Sequence, residues 1–166
     1  SQAGAGMTLK PEVHSSELVS LRRNRIGFVF QGFRLVRGLS ALDNVCVPAM
    51  IRGVQAGARE RAASLLADVG LGDLVHASVD QLSAGQCQRV ALARALASDP
   101  DLILADEPTA ALDADTGRHI MQLLRRLLQD YGKTAIVVTH DSRIVQATDC
   151  VYALEDGRLV RRRHGQ

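Results

Sequence analysis

Four polar side chains able to handle protons or metal ions stand directly behind apolar runs in this 166-residue chain. Gln31 follows Ile26-Gly-Phe-Val-Phe30, the pair Asp106-Glu107 follows Leu102-Ile-Leu-Ala105, and His140 follows Ala135-Ile-Val-Val-Thr139. Short apolar runs bounded by polar residues read as buried strands. Ligands of open parallel sheets bind just beyond the carboxyl ends of the strands, so a parallel arrangement alone would gather these four residues at one site. Asp106 is a hard oxygen donor of the kind that holds Mg²⁺, an ion that keeps several waters and takes one or two carboxylates plus substrate phosphates. Glu107 precedes Pro108. A residue before proline is pushed toward extended geometry, which predicts an extended Glu107 whose carboxylate is aimed at a water on the side opposite Asp106.

A second constellation is Leu82-Ser-Ala-Gly-Gln-Cys-Gln-Arg-Val90. Ser83 followed three residues later by Gln86 is a capping box, so a helix begins here with Ser83 as its N-cap. Free backbone N–H groups and the helix dipole at such a start favour an anion such as phosphate, and Gly85 in the first turn permits close approach. A plain N-cap fits the same local pattern.

The elements that must position these groups alternate in type. A helix is predicted over about 15 to 25 with Leu18 and Leu21 on one face, then a strand over 26 to 30, and amphipathic helices over about 41 to 52 and 57 to 69. The helix opened by Ser83 runs to about Ser98, and Asp99-Pro100 stops it before the strand 102 to 105. A helix over about 114 to 130 carries the stripe Ile120, Leu123, Leu124, Leu127 and Leu128, which reads as core. A strand over 134 to 138, a short helix over 141 to 147, and a hairpin 151 to 160 turning at Asp156-Gly157 complete the order. Strands alternating with helices predict an α/β fold whose mainly parallel sheet is covered on both faces.

Composition bounds the class. Hydrophobic residues at 46% and charged residues at 23% exclude a disordered or collagen-like chain. The net charge of only +2 argues against a nucleic-acid partner, although every cation except Lys10 and Lys133 is arginine and Arg22, Arg23, Arg25 and Arg161-Arg-Arg163 form short runs. Cys46, Cys87 and Cys150 are odd in number and contain no C-x-x-C pair, so they read as reduced cytosolic thiols rather than a disulfide framework or zinc site. No apolar run approaches the roughly 18 residues of a membrane span.

In this order IGFVFQ, LSAGQCQRVALARAL, DLILADEPTAALD and VVTHD resemble the Q-loop, signature motif, Walker B with D-loop, and switch histidine of ATP-binding cassette (ABC) ATPases, over roughly residues 18 to 160. The cues IGFVFQ, LSALDNV and ADEPTAALDADTG are most similar to the subgroup that energises lipoprotein release, macrolide export and the cell-division cassette pair. The resemblance implies a partial P-loop NTPase core with a helical subdomain over about 32 to 98, within a domain of residues 15 to 160 flanked by a flexible segment 1 to 14 and a basic tail 161 to 166. It implies ATP and Mg²⁺ as ligands, with Asp106 and Gln31 near the metal, Glu107 as base or orienter of the attacking water, and His140 on the γ-phosphate. Ser83, Ala84, Gly85 and Gln86 would meet ATP bound on a second ATPase subunit, and Asp113 would serve communication across that dimer. Gln31 would also link the site to a separate membrane permease, holding the subunit in the cytoplasm at the inner face of the plasma membrane. In the family the region from Gly32 to about Met50 receives the permease's cytoplasmic helix; here it carries Phe33, Leu35, Val36 and Leu39, which could instead cover the helical subdomain.

Two departures bear on activity. Ala84 replaces the signature's usual first glycine, adding a methyl where backbone meets phosphate. No G-x-x-x-x-G-K-[ST] loop occurs: Gly132-Lys-Thr134 has Leu127 where the first glycine belongs and a strand behind it. The expectation is a cassette lacking its Walker A portion and inactive alone. A non-catalytic fragment or interaction module, and a DNA-acting cassette ATPase using the arginine runs, are the alternative readings.

Overall fold

The computed structural model describes residues 15–141 and 150–162. The short helix expected over 141 to 147, the segment 1 to 14 and the last four residues lie outside or almost wholly outside that range.

Helix α1 (Ser15–Arg25) leads directly into strand β1 (Ile26–Val29). Helices α2 (Ala41–Ile51), α3 (Ala58–Asp68) and α4 (Ala84–Leu96) follow, with short 3₁₀ turns at Gly72–Leu74 and Val79–Gln81 between the last two. Strand β2 (Leu102–Asp106), helix α5 (Ala114–Asp130), strand β3 (Thr134–Val138) and the hairpin β4 (Val151–Glu155) and β5 (Arg158–Arg162) complete the order. The Ser83 cap that the sequence implies is formed, and Ser40 caps α2 as well. Ser40 accepts the Asp43 amide at 3.0 Å to start α2, and Ser83 and Gln86 close the capping box of α4.

Strands β1, β2 and β3 form one parallel sheet in that order. Val29 lies opposite Ala105, and Asp106 opposite Val138. The in-register pairing puts the carboxyl ends of all three strands at one edge. Gly27, Val29, Ile103 and Ala105 are buried, and this face packs on α4 and α5. The opposite face carries Ile26, Phe28, Leu102 and Leu104, half-buried, and Ile136 and Val138, exposed. Among the described residues one face of the sheet is thus buried against helices, whereas on the other α1 packs against β1 with Leu18 and Leu21 about half exposed and Ile136 and Val138 stay exposed.

The core is continuous from the sheet through the helical subdomain. Leu65 and Leu66 of α3 and Leu92 and Leu96 of α4 are fully buried, each burial contributing on the order of 1.5–3 kcal/mol. Ile120, Leu124 and Leu127 of α5 fill the side below the sheet as the stripe predicts. β1 ends at Val29, one residue short of Phe30, and β5 extends through Arg162 into the segment expected as a basic tail. Asp156 and Gly157 both take positive φ, 47° and 75°, the geometry of the tight turn that the Asp-Gly pair implies. Three arginines of these runs are engaged within the fold. The Arg22 guanidinium lies 4.9 Å from the Phe28 ring centre, Arg25 pairs with Asp101, and Arg162 pairs with Glu155.

Contact between β1 and α4 depends on Gly27, where an added Cβ would stand 2.2 Å from the Ala95 carbonyl oxygen. Backbone on both sides leaves nothing to swing aside. Gly27→Ala should therefore cost about 1–3 kcal/mol, the usual scale of overpacking, read as a lower denaturant midpoint; an unchanged midpoint would mean that α4 can back away freely.

Candidate nucleotide site at the strand ends

Glu107 is the hinge of the site. Its backbone does not continue the strand: φ is +44°, in the left-handed region, where the proline rule predicts extended geometry. Pro108 disfavours the right-handed helical region but does not by itself select between extended and left-handed backbone. Tertiary hydrogen bonds make that selection. The Glu107 amide donates to the Val138 carbonyl at 2.9 Å, and the Glu107 carbonyl accepts from Ala110 at 3.2 Å. A non-glycine residue held at positive φ costs on the order of 1–3 kcal/mol and persists only when its surroundings over-determine it.

The turn sends the Glu107 carboxylate toward the end of β3. Oε1 accepts from the His140 backbone amide at 3.0 Å and lies 2.6 Å from His140 Nδ1. Oε2 accepts from Thr139 Oγ1 at 3.2 Å. The Glu107 side chain is mostly buried, with 17% of its surface exposed, while the His140 side chain is 85% exposed. A mostly buried carboxylate thus orients an open imidazole. Thr139 was not singled out in the sequence; the signal available was a hydroxyl between an apolar strand and a histidine.

Asp106 ends β2 one residue earlier, exposed and opposite Val138 in the sheet. Among the described residues its carboxylate makes no hydrogen bond or ion pair. Gln31 lies at the same edge, exposed, two residues beyond the end of β1. The structure brings Glu107 and His140 into contact and puts Asp106 and Gln31 at the same end of the sheet.

The second constellation stands apart from the first. Gln86 Oε1 accepts the Ser83 amide at 2.9 Å and Ser83 Oγ accepts the Gln86 amide at 3.3 Å, so both side chains are engaged in the cap. Ser83 and Ala84 remain exposed. A Cβ on Gly85 would meet Thr116 Cγ2 at 2.9 Å, which seats the start of α4 against the first turn of α5. That turn is capped by Asp113, whose Oδ1 accepts the Asp115 and Thr116 amides at 3.1 and 2.9 Å. Ser83 to Gln86 and Asp113 therefore belong to one corner, and no hydrogen bond joins it to Glu107 or His140 among the described residues.

Two helix starts and three aligned strand ends, in this chain order, can be compared with known proteins. A family model described as ABC transporter matches residues 4–110. The chain belongs to the ABC transporter family. The cassette is 50% identical over 143 residues to an uncharacterized ABC transporter ATP-binding protein of Thermotoga maritima, a match covering 86% of this chain and 61% of the relative. It is 47% identical over 147 residues to the macrolide export ATP-binding/permease protein MacB of a Shewanella species, covering 88% of this chain and 23% of that protein. A solved dimeric structure of the ATP-binding cassette MJ0796 in a post-hydrolysis state bound to ADP and Pi superposes with a TM-score of 0.74 at 44% identity, covering 90% of this chain and 68% of the other. The cassette thus spans about three fifths of the Thermotoga relative. The P-loop NTPase class, with its parallel sheet and helical subdomain, is the fold of these neighbours, and the macrolide-export relatives support the lipoprotein-release, macrolide-export and cell-division subgroup indicated by IGFVFQ, LSALDNV and ADEPTAALDADTG.

The Thr116 side chain and backbone hold the Asp113 carboxyl below its usual value near 3.8. A carboxyl depressed on folding stabilises the fold above the unfolded value and loses that contribution as pH falls through the lower folded value. Asp113→Ala should lower the thermal midpoint by a few degrees at neutral pH, Asp113→Asn should retain the cap, and the gap between wild type and Asp113→Ala should close as the pH is taken below the ordinary aspartate range. A gap that stays constant into strong acid would remove the carboxylate cap from the account.

Proposed function

We propose that this chain is part of the ATP-binding and ATP-hydrolysing subunit of an ABC transporter, coupling ATP hydrolysis to substrate movement through a membrane permease. The observation that carries the reading is the 2.6 Å contact between Glu107 and an exposed His140 beyond the end of β3, with the Asp106 carboxylate, one residue before Glu107, free of partners among the described residues. The protein's task in phosphoryl transfer to water is to position groups and neutralise charge.

Asp106 suits Mg²⁺. It is a single accessible carboxylate, and no group of three metal-binding side chains occurs among the described residues, which matches an ion held by one carboxylate, water and substrate phosphates rather than by a protein cage. When bound, Mg²⁺ would draw charge from the phosphate oxygens. Gln31 would approach the metal and the attacking water. Glu107 would orient that water and accept its proton at a carboxylate oxygen, while His140, steered by Glu107, would donate to the γ-phosphate. Ser83, Ala84 and Gly85 would meet the γ-phosphate of ATP on a second cassette, with Gln86 fixing the cap behind them, and Asp113 would carry contact across the pair.

The permease would dock beside Gln31. A cavity of about 370 Å³ lies between α1, β1, the end of α2 and α4, lined by Phe28, Phe30, Pro48 and Ile51 among others. Val36, Met50 and Ile51 are exposed around the same subdomain, whereas Leu35 packs on the core. Among the described residues no helix is long and apolar enough to cross a membrane. The subunit on this reading sits at the inner face of the plasma membrane, held by the permease.

In a full-length cassette carrying this sequence, Glu107→Gln should leave the ATP dissociation constant unchanged and lower kcat by roughly 10²- to 10⁴-fold, the pattern of an interaction made chiefly in the transition state. Asp106→Asn should weaken nucleotide binding instead. Phosphate release and nucleotide titration check both; hydrolysis near the original rate in Glu107→Gln would remove Glu107 from the mechanism and leave His140 as the candidate.

A further inference from the structure

The segment after Gln31 has a backbone that its residues do not favour. Phe33 and Arg34 follow Gly32 with φ of 63° and 47°, so two consecutive side-chain-bearing residues occupy the left-handed region. Such backbone persists only under external restraint. The restraint comes from α4. Arg94 Nη2 donates to the Phe33 carbonyl at 2.8 Å and Nη1 to the Arg34 carbonyl at 2.6 Å. Burial draws the Arg94 guanidinium pKa down, and no carboxylate faces it among the described residues. Its fork is thus committed to two carbonyls that left-handed backbone turns toward it. Arg34 adds a second restraint, its guanidinium 5.1 Å from the Phe30 ring centre.

The rest of the loop is held elsewhere. Asn44, fully buried in α2, accepts the Val36 amide at 2.7 Å and donates to its carbonyl at 3.1 Å. Asp80 accepts from Arg37 Nε at 2.8 Å and from the Gly38 amide at 2.9 Å. Residues 36 to 38 therefore stay anchored without Arg94, whereas at residues 33 and 34 Arg94 adds to the turn bonds from the Phe33 amide to the Phe30 carbonyl at 3.3 Å and from the Arg34 amide to the Gly32 carbonyl at 2.6 Å. Arg94 belongs to the same helix that Ser83 caps, three turns further on.

We infer that Arg94 is a positioning residue for hydrolysis: its guanidinium clamps the Phe33 and Arg34 carbonyls and so fixes Gln31, at the end of β1, in register with the helix that presents Ser83 and Gly85. The inference rests on the proposed ATPase reading for its catalytic consequence, while the clamp itself is independent of that reading. Arg is required because a planar fork reaches two carbonyls at once, which a lysine ammonium on a flexible stem does not reproduce. Arg94 touches no reacting group; it acts through the loop.

The test compares wild type, Arg94→Met and Arg94→Lys in a full-length cassette carrying this sequence. Amide hydrogen exchange without nucleotide should quicken about tenfold or more at residues 33 to 35 in Arg94→Met, with residues 36 to 38 and the core of α4 unchanged. Arg94→Lys should keep the thermal midpoint but not restore the protection. ATP turnover should show kcat lowered about tenfold with KM for ATP held within about twofold, a split that general destabilisation does not give. Unchanged exchange at 33 to 35 in a folded Arg94→Met, or faster exchange with kcat and KM both at wild-type values, overturns the inference. If Arg94→Met does not fold, Arg94→Gln, which can reach only one carbonyl, is read by the same criteria. A wild-type protein without ATPase activity would defeat the proposed function, and the exchange experiment would still decide the clamp.

Discussion

The site depends on a single strained residue whose carboxylate bridges two strands. Glu107 leaves β2 in left-handed backbone, and its amide and both carboxylate oxygens fasten onto Val138, Thr139 and His140 at the end of β3. That fastening orients an exposed imidazole and keeps a mostly buried carboxylate beside it. The strain is sustained because the parallel register leaves no slack: Asp106 is already paired opposite Val138, so the chain must turn within one residue. Strained backbone concentrates where chemistry needs a group aimed rather than relaxed.

Helix α4 touches the strand-end region at β1 and the loop after Gln31. Its first turn carries the capped Ser83 and abuts α5 through Gly85 and Thr116. Its middle fills the core of the helical subdomain, and its last turns press on β1 at Gly27 and reach the loop beyond Gln31 through Arg94. A run rich in alanine and leucine lets this helix approach several elements closely at once. One helix thus carries Ser83 and Gly85 at its start and reaches the loop that follows Gln31 near its end.

Much of this was legible from residue order. The capping residue Ser83 marked a helix start because short polar side chains bond the free amides there, and apolar runs marked strands; the caps at Ser40 and Asp113 follow the same chemistry but were found in the structure. The Asp-Gly turn followed from backbone preference in the same way. Other features were not legible for physical reasons. The Glu107 backbone is selected by bonds to a strand about thirty residues away, which no local rule contains. Coverage of the sheet is a property of packing, so the alternation of strands and helices promised a second layer over Ile136 and Val138 that the described residues do not supply. Arg94 reads as an ordinary helix former, yet a charge inside Ala91-Leu-Ala-Arg-Ala-Leu96 was a signal that something polar lay opposite.

The central claim is that Glu107 of one cassette works with Ser83 and Gly85 of another, at a site two copies share. Mixing tests this directly, using full-length cassettes that carry Glu107→Gln or Ser83→Arg, each inactive alone. In a mixed pair one site combines an intact Glu107 with an intact Ser83, while the other carries both lesions. The account predicts that mixing the two inactive proteins regenerates ATP hydrolysis. No recovery of activity, with mixed pairs demonstrated in solution, would contradict it and put Ser83 and Glu107 to work within the same chain.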